Sequence, residues 1–205
     1  MDISKIEIKD VNFSYKDVKV YRKNLNMCLE KGSIYLIKGK NGSGKSTITR
    51  YFEKVGEYTN ADDVVAATGM DNAKAAKFVD DKRYTAISEK RDFTFETVLS
   101  SEYKLNILRK AKENGYFIKC VFVLTVDAHI NVARVEARVA QGGHSVEKEK
   151  IISRYKKSLS NIKELLNLCD ILHVYDNTME EPVRIIRKHK DDISIFANDL
   201  WSEES

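Results

Sequence analysis

Apolar and polar positions alternate over three short stretches near the start of the chain, at 6–8, 11–13 and 25–29. This two-residue period predicts strands with one buried face. Lys31-Gly32 supplies a turn, and Ser33 to Ile37 reads as a buried strand. Residues 71–90, rich in alanine and charge, predict a helix, Phe93 to Phe95 a short strand, and Glu102 to Asn114 a helix stopped by Gly115. Tyr116 to Val126 is the most apolar strand, and a helix follows in which Val132, Val135 and Val139 recur at three and four residues. Ser145 is the expected cap of one long helix with the inward stripe Ile152, Tyr155, Leu159, Ile162 and Leu166, and Ile171 to Tyr175 is a last strand. The alternation of strands and helices over 33–175 predicts an α/β fold: a doubly wound, mostly parallel sheet with helices on both faces, preceded by a short antiparallel ribbon. We expect one domain over 1–205, with the ribbon at 1–32, the core at 33–178 and a C-terminal appendage at 179–205.

Composition narrows the class only a little. With 42% hydrophobic and 32% charged residues and a single proline, the 205-residue chain has the make-up of an ordinary globular protein. The first ten residues lack an apolar core of the signal-peptide kind, and no apolar run approaches the ~18 residues of a membrane span, so a cytoplasmic protein is expected. Cys28, Cys120 and Cys169 are odd in number and lack ligand spacing, as expected of reduced core thiols. His129, His144, His173 and His189 show no metal-ligand spacing either. A formal charge of +4 gives no reason to expect a nucleic-acid partner, but basic residues are concentrated between Arg134 and Lys163, where they can face phosphates.

The sharpest feature is Gly39-Lys40-Asn41-Gly42-Ser43-Gly44-Lys45-Ser46, followed by Thr47. A triphosphate needs many donors converging on its oxygens, and side chains would crowd that approach. Glycines at 39, 42 and 44 let the backbone N–H groups of the loop, through Asn41, Ser43 and Thr47, point inward. Lys45 is placed to reach the β- and γ-phosphates, Ser46 to ligate Mg²⁺, and the helix that follows turns its positive end to the anion. The preceding strand and following helix supply the context that this P-loop requires. ATP with Mg²⁺ is therefore the expected ligand, although the cradle alone does not separate kinase from ATPase from GTPase.

Two resemblances refine that reading. Residues 6–15, IEIKDVNFSY, with Leu29-Glu30-Lys31-Gly32-Ser33 and the P-loop, resemble the start of an ABC-type ATPase, in which an aromatic at the position of Tyr15 stacks on adenine. No LSGGQ-type segment follows, and the strand ending at Val126 leads to Asp127-Ala128 rather than Asp-Glu. From Lys38 to Thr178 the chain resembles the zeta-toxin family of P-loop kinases. That likeness is carried by Asn60-Ala61-Asp62, residues 93–100 (FTFETVLS), residues 134–139 (RVEARV), Gly142-Gly143-His144-Ser145-Val146, Arg154-Tyr155 and Tyr175-Asp176-Asn177.

The second resemblance implies ATP-dependent phosphorylation of a small-molecule hydroxyl, for the toxin members that of UDP-N-acetylglucosamine, and an antitoxin as a protein partner. It implies Asp62 as the base that deprotonates or orients the acceptor, with Asp63 its neighbour and helix capping the alternative. Glu96 and Thr97 are implied to bind substrate, Glu96 also to help place Mg²⁺, and Ser100 is a weaker neighbour. Arg134 and Arg138, four apart on one helical face, and Arg154, off the apolar stripe, are candidates for neutralising the transferring phosphate. His144 lies in a glycine-flanked loop between basic helices, where a lid would close. Asp127, closing the apolar strand, either holds Mg²⁺ through water or caps the next helix. The alternative function is an ABC-like ATPase module acting on a protein partner.

Overall fold

The computed structural model describes residues 54–142, 145–179 and 181–201 and, before them, the backbone of strands β1 (Lys5–Val11), β2 (Ser14–Tyr15), β3 (Val18–Lys19), β4 (Leu25–Glu30) and β5 (Ser33–Gly39). The expected phosphate loop from Lys40 through Thr47 lies outside the described residues, as do the side chain of Tyr15 and all of Gly143 and His144. The chain continues through β6 (Glu57–Thr59), α1 (Ala61–Thr68), α2 (Asn72–Ser88), β7 (Phe93–Thr97), α3 (Glu102–Glu113) and β8 (Phe117–Leu124). It ends with α4 (Ala128–Val139), α5 (Lys148–Ser160), α6 (Ile162–Leu168), β9 (Ile171–Asp176), β10 (Val183–His189) and β11 (Asp192–Ile195).

A seven-stranded sheet has the order β11-β10-β9-β8-β5-β7-β6. β6, β7, β5, β8 and β9 run parallel, while β10 and β11 extend the β9 side antiparallel. β1 pairs with β4 and β2 with β3, both antiparallel, so the expected N-terminal ribbon is present and precedes the α/β sheet. β5 lies between β7 and β8, and the chain visits β6 and β7 on one side before crossing to β8 and β9 on the other. That reversal of strand order falls at β5, and in doubly wound sheets the crevice that binds ligands lies beyond the C-terminal strand ends at such a point.

Alternation along the strands divides the sheet's faces. Phe93 and Phe95 of β7, Ile118, Cys120, Phe122 and Leu124 of β8, and Leu172 and Val174 of β9 form one buried face, packed against Ile87 of α2, Leu105 and Leu108 of α3, and Leu165 of α6. Each fully buried Leu or Phe contributes about 1.5–3 kcal/mol. Cys120 and Cys169 are buried thiols in this core. A second cluster joins α4 to α5 through Val132, Val135 and Ile151, so the valine stripe is indeed the inward face of α4.

Local chemistry explains the element ends. Asp71 caps α2, its carboxylate accepting from the Ala73 and Lys74 N–H groups at 2.9 and 3.0 Å. Gly115, at φ 80°, lets the chain leave α3. Gly56 opens β6 at φ 63°, and a Cβ there would stand 1.8 Å from the Asp92 carbonyl oxygen, so no other residue fits.

One part of the helix pattern is corrected. Ser145 does not cap a long helix: Glu147 precedes the first turn of α5 and makes no side-chain cap bond. The helix is also broken at Asn161, whose amide instead donates to the Leu99 carbonyl at 3.0 Å. Of the predicted stripe only Tyr155 is buried, beside Ile151 and Leu165; Ile152, Leu159, Ile162 and Leu166 are half-buried and pack against the edges of the two clusters.

Candidate functional site

All five parallel strands end on one edge of the sheet. The register aligns Leu36 with Phe95, and Phe95 with Thr59, while Gly39 is level with Val123. The start of the expected P-loop, the end of β6 at Thr59-Asn60, the end of β7 at Glu96-Thr97 and the end of β8 therefore converge on the same crevice. The site residues from Lys40 onward in the loop are outside the described structure. Gly39, the last residue of β5, fixes where the loop starts: at the middle one of the five parallel strands.

On the β6 side, Asn60 is the cap of α1. Its Oδ1 accepts from the Asp62 N–H at 3.1 Å, and Asp62 and Asp63 stand exposed in the first turn. The capping bond thus belongs to the Asn60 side chain, which leaves the Asp62 carboxylate outside it. Glu96 points to the face of β7 opposite Phe93 and Phe95 and is buried, 7% exposed. The Tyr58 hydroxyl donates to Glu96 Oε2 at 3.3 Å. Burial, reinforced by the negative charges of Glu96 and Asp63, pushes the Tyr58 hydroxyl well above the ordinary tyrosine range, so the phenol stays protonated. Thr97 is half-buried, with its hydroxyl 3.5 Å from the Leu99 N–H. Leu99 itself adopts φ 47°, a strained value for a leucine, held by its burial and by Asn161.

On the β8 side, Asp127 caps α4, accepting from the His129 N–H at 2.8 Å with the His129 ring at 3.0 Å. These contacts hold its carboxyl below the usual aspartate range. Tyr155 of α5 shares its hydroxyl proton between the Thr125 and Val126 carbonyls, both at 2.9 Å, and burial pushes that hydroxyl up to about 12. The expected arginines have different settings. Arg134 donates to the Asn177 and Thr178 carbonyls at 2.7 and 3.1 Å, fastening α4 to the end of β9, whereas Arg138 is exposed one turn later and Arg154 is half-buried on α5.

Two groups of residues escape a reading of the sequence alone. Arg83 of α2 is 2% exposed and bonds Thr59 twice, through Oγ1 at 2.9 Å and the carbonyl at 3.1 Å, while Asp80 holds the same guanidinium at 2.7 Å and also takes Lys104. Asp80 and Arg83 fall within the stripe Ala75, Val79, Ala86, Ile87, and charged residues at helical spacing inside an apolar stripe were the available signal. At the far end, the Trp201 indole donates to Asp176 Oδ2 at 3.0 Å, and Thr178 Oγ1, which also bonds Asp176, accepts from the Val126 N–H at 2.8 Å. No local pattern announces that contact.

With this geometry in view, comparison with known proteins is decisive for the family. The zeta-toxin family model matches residues 59–199, and the chain belongs to that family of P-loop kinases. An uncharacterised protein of Haemophilus influenzae is 28% identical over 140 residues, 65% of this chain and 99% of that protein. The phosphonates import ATP-binding protein PhnC of Staphylococcus haemolyticus is 36% identical over 72 residues, 35% of this chain and 28% of PhnC, which agrees with an ABC-like segment. Among solved structures, the AvrRxo1-ORF1:-ORF2 complex with ATP superposes with TM-score 0.64 at 14% identity, over 80% of this chain and 60% of that one. The PezAT toxin–antitoxin system of Streptococcus pneumoniae gives TM-score 0.50 at 16% identity, over 71% of this chain and 66% of that one. These structural likenesses establish the fold. Among the described residues, no helix is long and apolar enough to cross a membrane.

Proposed function

We propose that this protein transfers the γ-phosphate of ATP to a hydroxyl of a small molecule, with a nucleotide sugar such as UDP-N-acetylglucosamine the first acceptor to test. The observation that carries the reading is the convergence of the P-loop strand end at Gly39 with the Asn60–Asp62 turn and buried Glu96 on one crevice, within a chain of the zeta-toxin family.

In this reading the backbone from Gly39 through Asn41, Gly42, Ser43, Gly44 and Thr47 cradles the phosphates and Lys45 reaches the transferring group. Ser46 ligates Mg²⁺, with Glu96 or Asp127 reaching the ion through water, and Tyr15 stacks on the adenine. Magnesium, when bound, neutralises charge on the phosphate oxygens. Glu96 and Thr97 line the acceptor side. Asp62 takes the proton as the acceptor oxygen forms its bond to phosphorus and the bond to the departing ADP breaks. Arg138 and Arg154 offset the charge that develops in transfer. The protein works in the cytoplasm, and an antitoxin is the partner suggested by the likeness to the PezAT toxin–antitoxin system.

The test is incubation with Mg·ATP and a panel of nucleotide sugars, nucleosides and sugars, followed by mass spectrometry for a product heavier by one phosphate. ADP release that no acceptor stimulates would instead favour an ATPase module acting on a protein, the reading that the β1–β4 ribbon and the PhnC similarity support.

A further inference from the structure

β6 turns its side chains alternately to the two faces of the sheet. Thr59 faces α2, where Arg83 holds it, and Tyr58 faces the other way beside Glu96. The Tyr58 phenol donates its proton to Glu96 Oε2 at 3.3 Å. Two residues further on, Asn60 Oδ1 accepts from the Asp62 N–H and caps α1. The Tyr58 hydroxyl thus joins the end of β6, from which α1 starts, to the carboxylate at the end of β7.

We infer that Tyr58 is a positioning residue for the acceptor side of the site: through its hydroxyl it ties the Glu96 carboxylate to the end of β6, two residues before the Asn60 cap of α1, and so fixes Glu96 relative to Asp62. The inference rests on the kinase reading above and adds to it a residue outside the family-matched segment, which begins at Thr59. The carboxylate needs a neutral donor that keeps its own proton, and a phenol hydroxyl carried on a rigid ring supplies one. A plain packing role is the competing account, because Tyr58 is half-buried and the Lys54 ammonium sits 3.8 Å from its ring centroid. Phenylalanine preserves the ring, its packing and the cation contact, and removes only the oxygen.

The deciding experiment measures steady-state kinetics for the parent, Tyr58→Phe, Glu96→Gln and the double variant, varying ATP and acceptor separately, with thermal unfolding of each. Tyr58→Phe is expected to lower kcat/KM for the acceptor by about tenfold or more, the effect of losing a hydrogen bond to a charged group. The KM for ATP should stay within about twofold and the unfolding midpoint within a few degrees. Because the hydroxyl acts through Glu96, the double variant should be no slower than Glu96→Gln alone. Parental kinetics in Tyr58→Phe, an equal loss on the ATP side, independent additive losses, or a variant that no longer folds would each overturn the inference and leave the kinase reading standing. A parent that phosphorylates no acceptor would overturn both.

Discussion

Arg83 and Thr59 are joined at two points, the guanidinium donating to both the hydroxyl and the carbonyl of the last residue of β6. The bond pair braces α2 against the strand one residue before Asn60, the cap that sets the direction of α1. Arg83 also lies over the Phe95 ring at 4.4 Å, so its guanidinium rests on an aromatic face as well as being hydrogen-bonded. Removing it leaves Thr59 and part of Asp80 without partners in a buried setting. Arg83→Met should lower stability by about 3 kcal/mol, the usual cost of breaking a buried ion pair. Arg83→Lys should recover only part, since an ammonium cannot reproduce the two-point grip. Denaturant midpoints measure both, and a methionine variant as stable as the parent would show that the cluster is not what holds the strand end.

Arg134 and Arg138 occupy successive turns of α4 yet should fail differently. Arg134 grips two backbone carbonyls at the end of β9, so Arg134→Ala should reduce thermal stability together with activity. Arg138 is exposed, and Arg138→Ala should slow transfer about a hundredfold at nearly parental stability, with ATP affinity falling much less. Calorimetry beside single-turnover rates separates the two. Equal losses in ATP affinity and rate for Arg138→Ala would mean that it binds the ground state.

How far the sequence announces this arrangement depends on the range of each interaction. The parallel core is legible because strand and helix periods are local, as in residues 116–126 and the valine stripe of α4, and the P-loop sequence follows directly on β5, the strand at which the order reverses. Candidate residues carried by local motifs, such as Asn60-Ala61-Asp62 and Glu96, do fall at converging strand ends. The bond between Tyr58 and Glu96 spans 38 residues and that between Arg83 and Thr59 spans 24, and such separations leave no trace in spacing. The helix break at Asn161 was missed for the same reason: its amide is held by Leu99, 62 residues away.

His173 gives the fold a pH dependence of definite sign. Burial, with help from Arg184, Arg187, His189 and Lys119, lowers its pKa to about 4, and among the described residues its Nδ1 has no hydrogen-bond partner. The folded protein therefore resists protonation that the unfolded chain accepts near 6.5. Stability attributable to this group is complete above pH 6.5 and is lost as pH falls toward 4, amounting to roughly 2 kcal/mol at pH 5. His173→Gln, which cannot take up the proton, should flatten that part of the curve. Denaturant unfolding of both proteins between pH 7 and 5 measures it, and parallel curves would show that His173 is not buried neutral.

Asp62 carries the most specific claim about chemistry, and the structure makes it easier to isolate. Because the Asn60 side chain supplies the capping bond, Asp62→Asn keeps the cap and surrenders at most the ~0.3–1 kcal/mol that a first-turn carboxylate contributes to a helix. A base should therefore lose rate without losing fold. Asp62→Asn is expected to bind Mg·ATP as the parent does, to melt within a few degrees of it, and to transfer phosphate at least ~100-fold more slowly, the scale of general-base catalysis. Asp63→Asn removes a neighbouring carboxylate from the same exposed turn and should stay active, which controls for any general effect of negative charge at the end of β6. If both variants retain activity, or if Asp63→Asn is the inactive one, Asp62 is not the base, and the buried carboxylate of Glu96 becomes the group to examine.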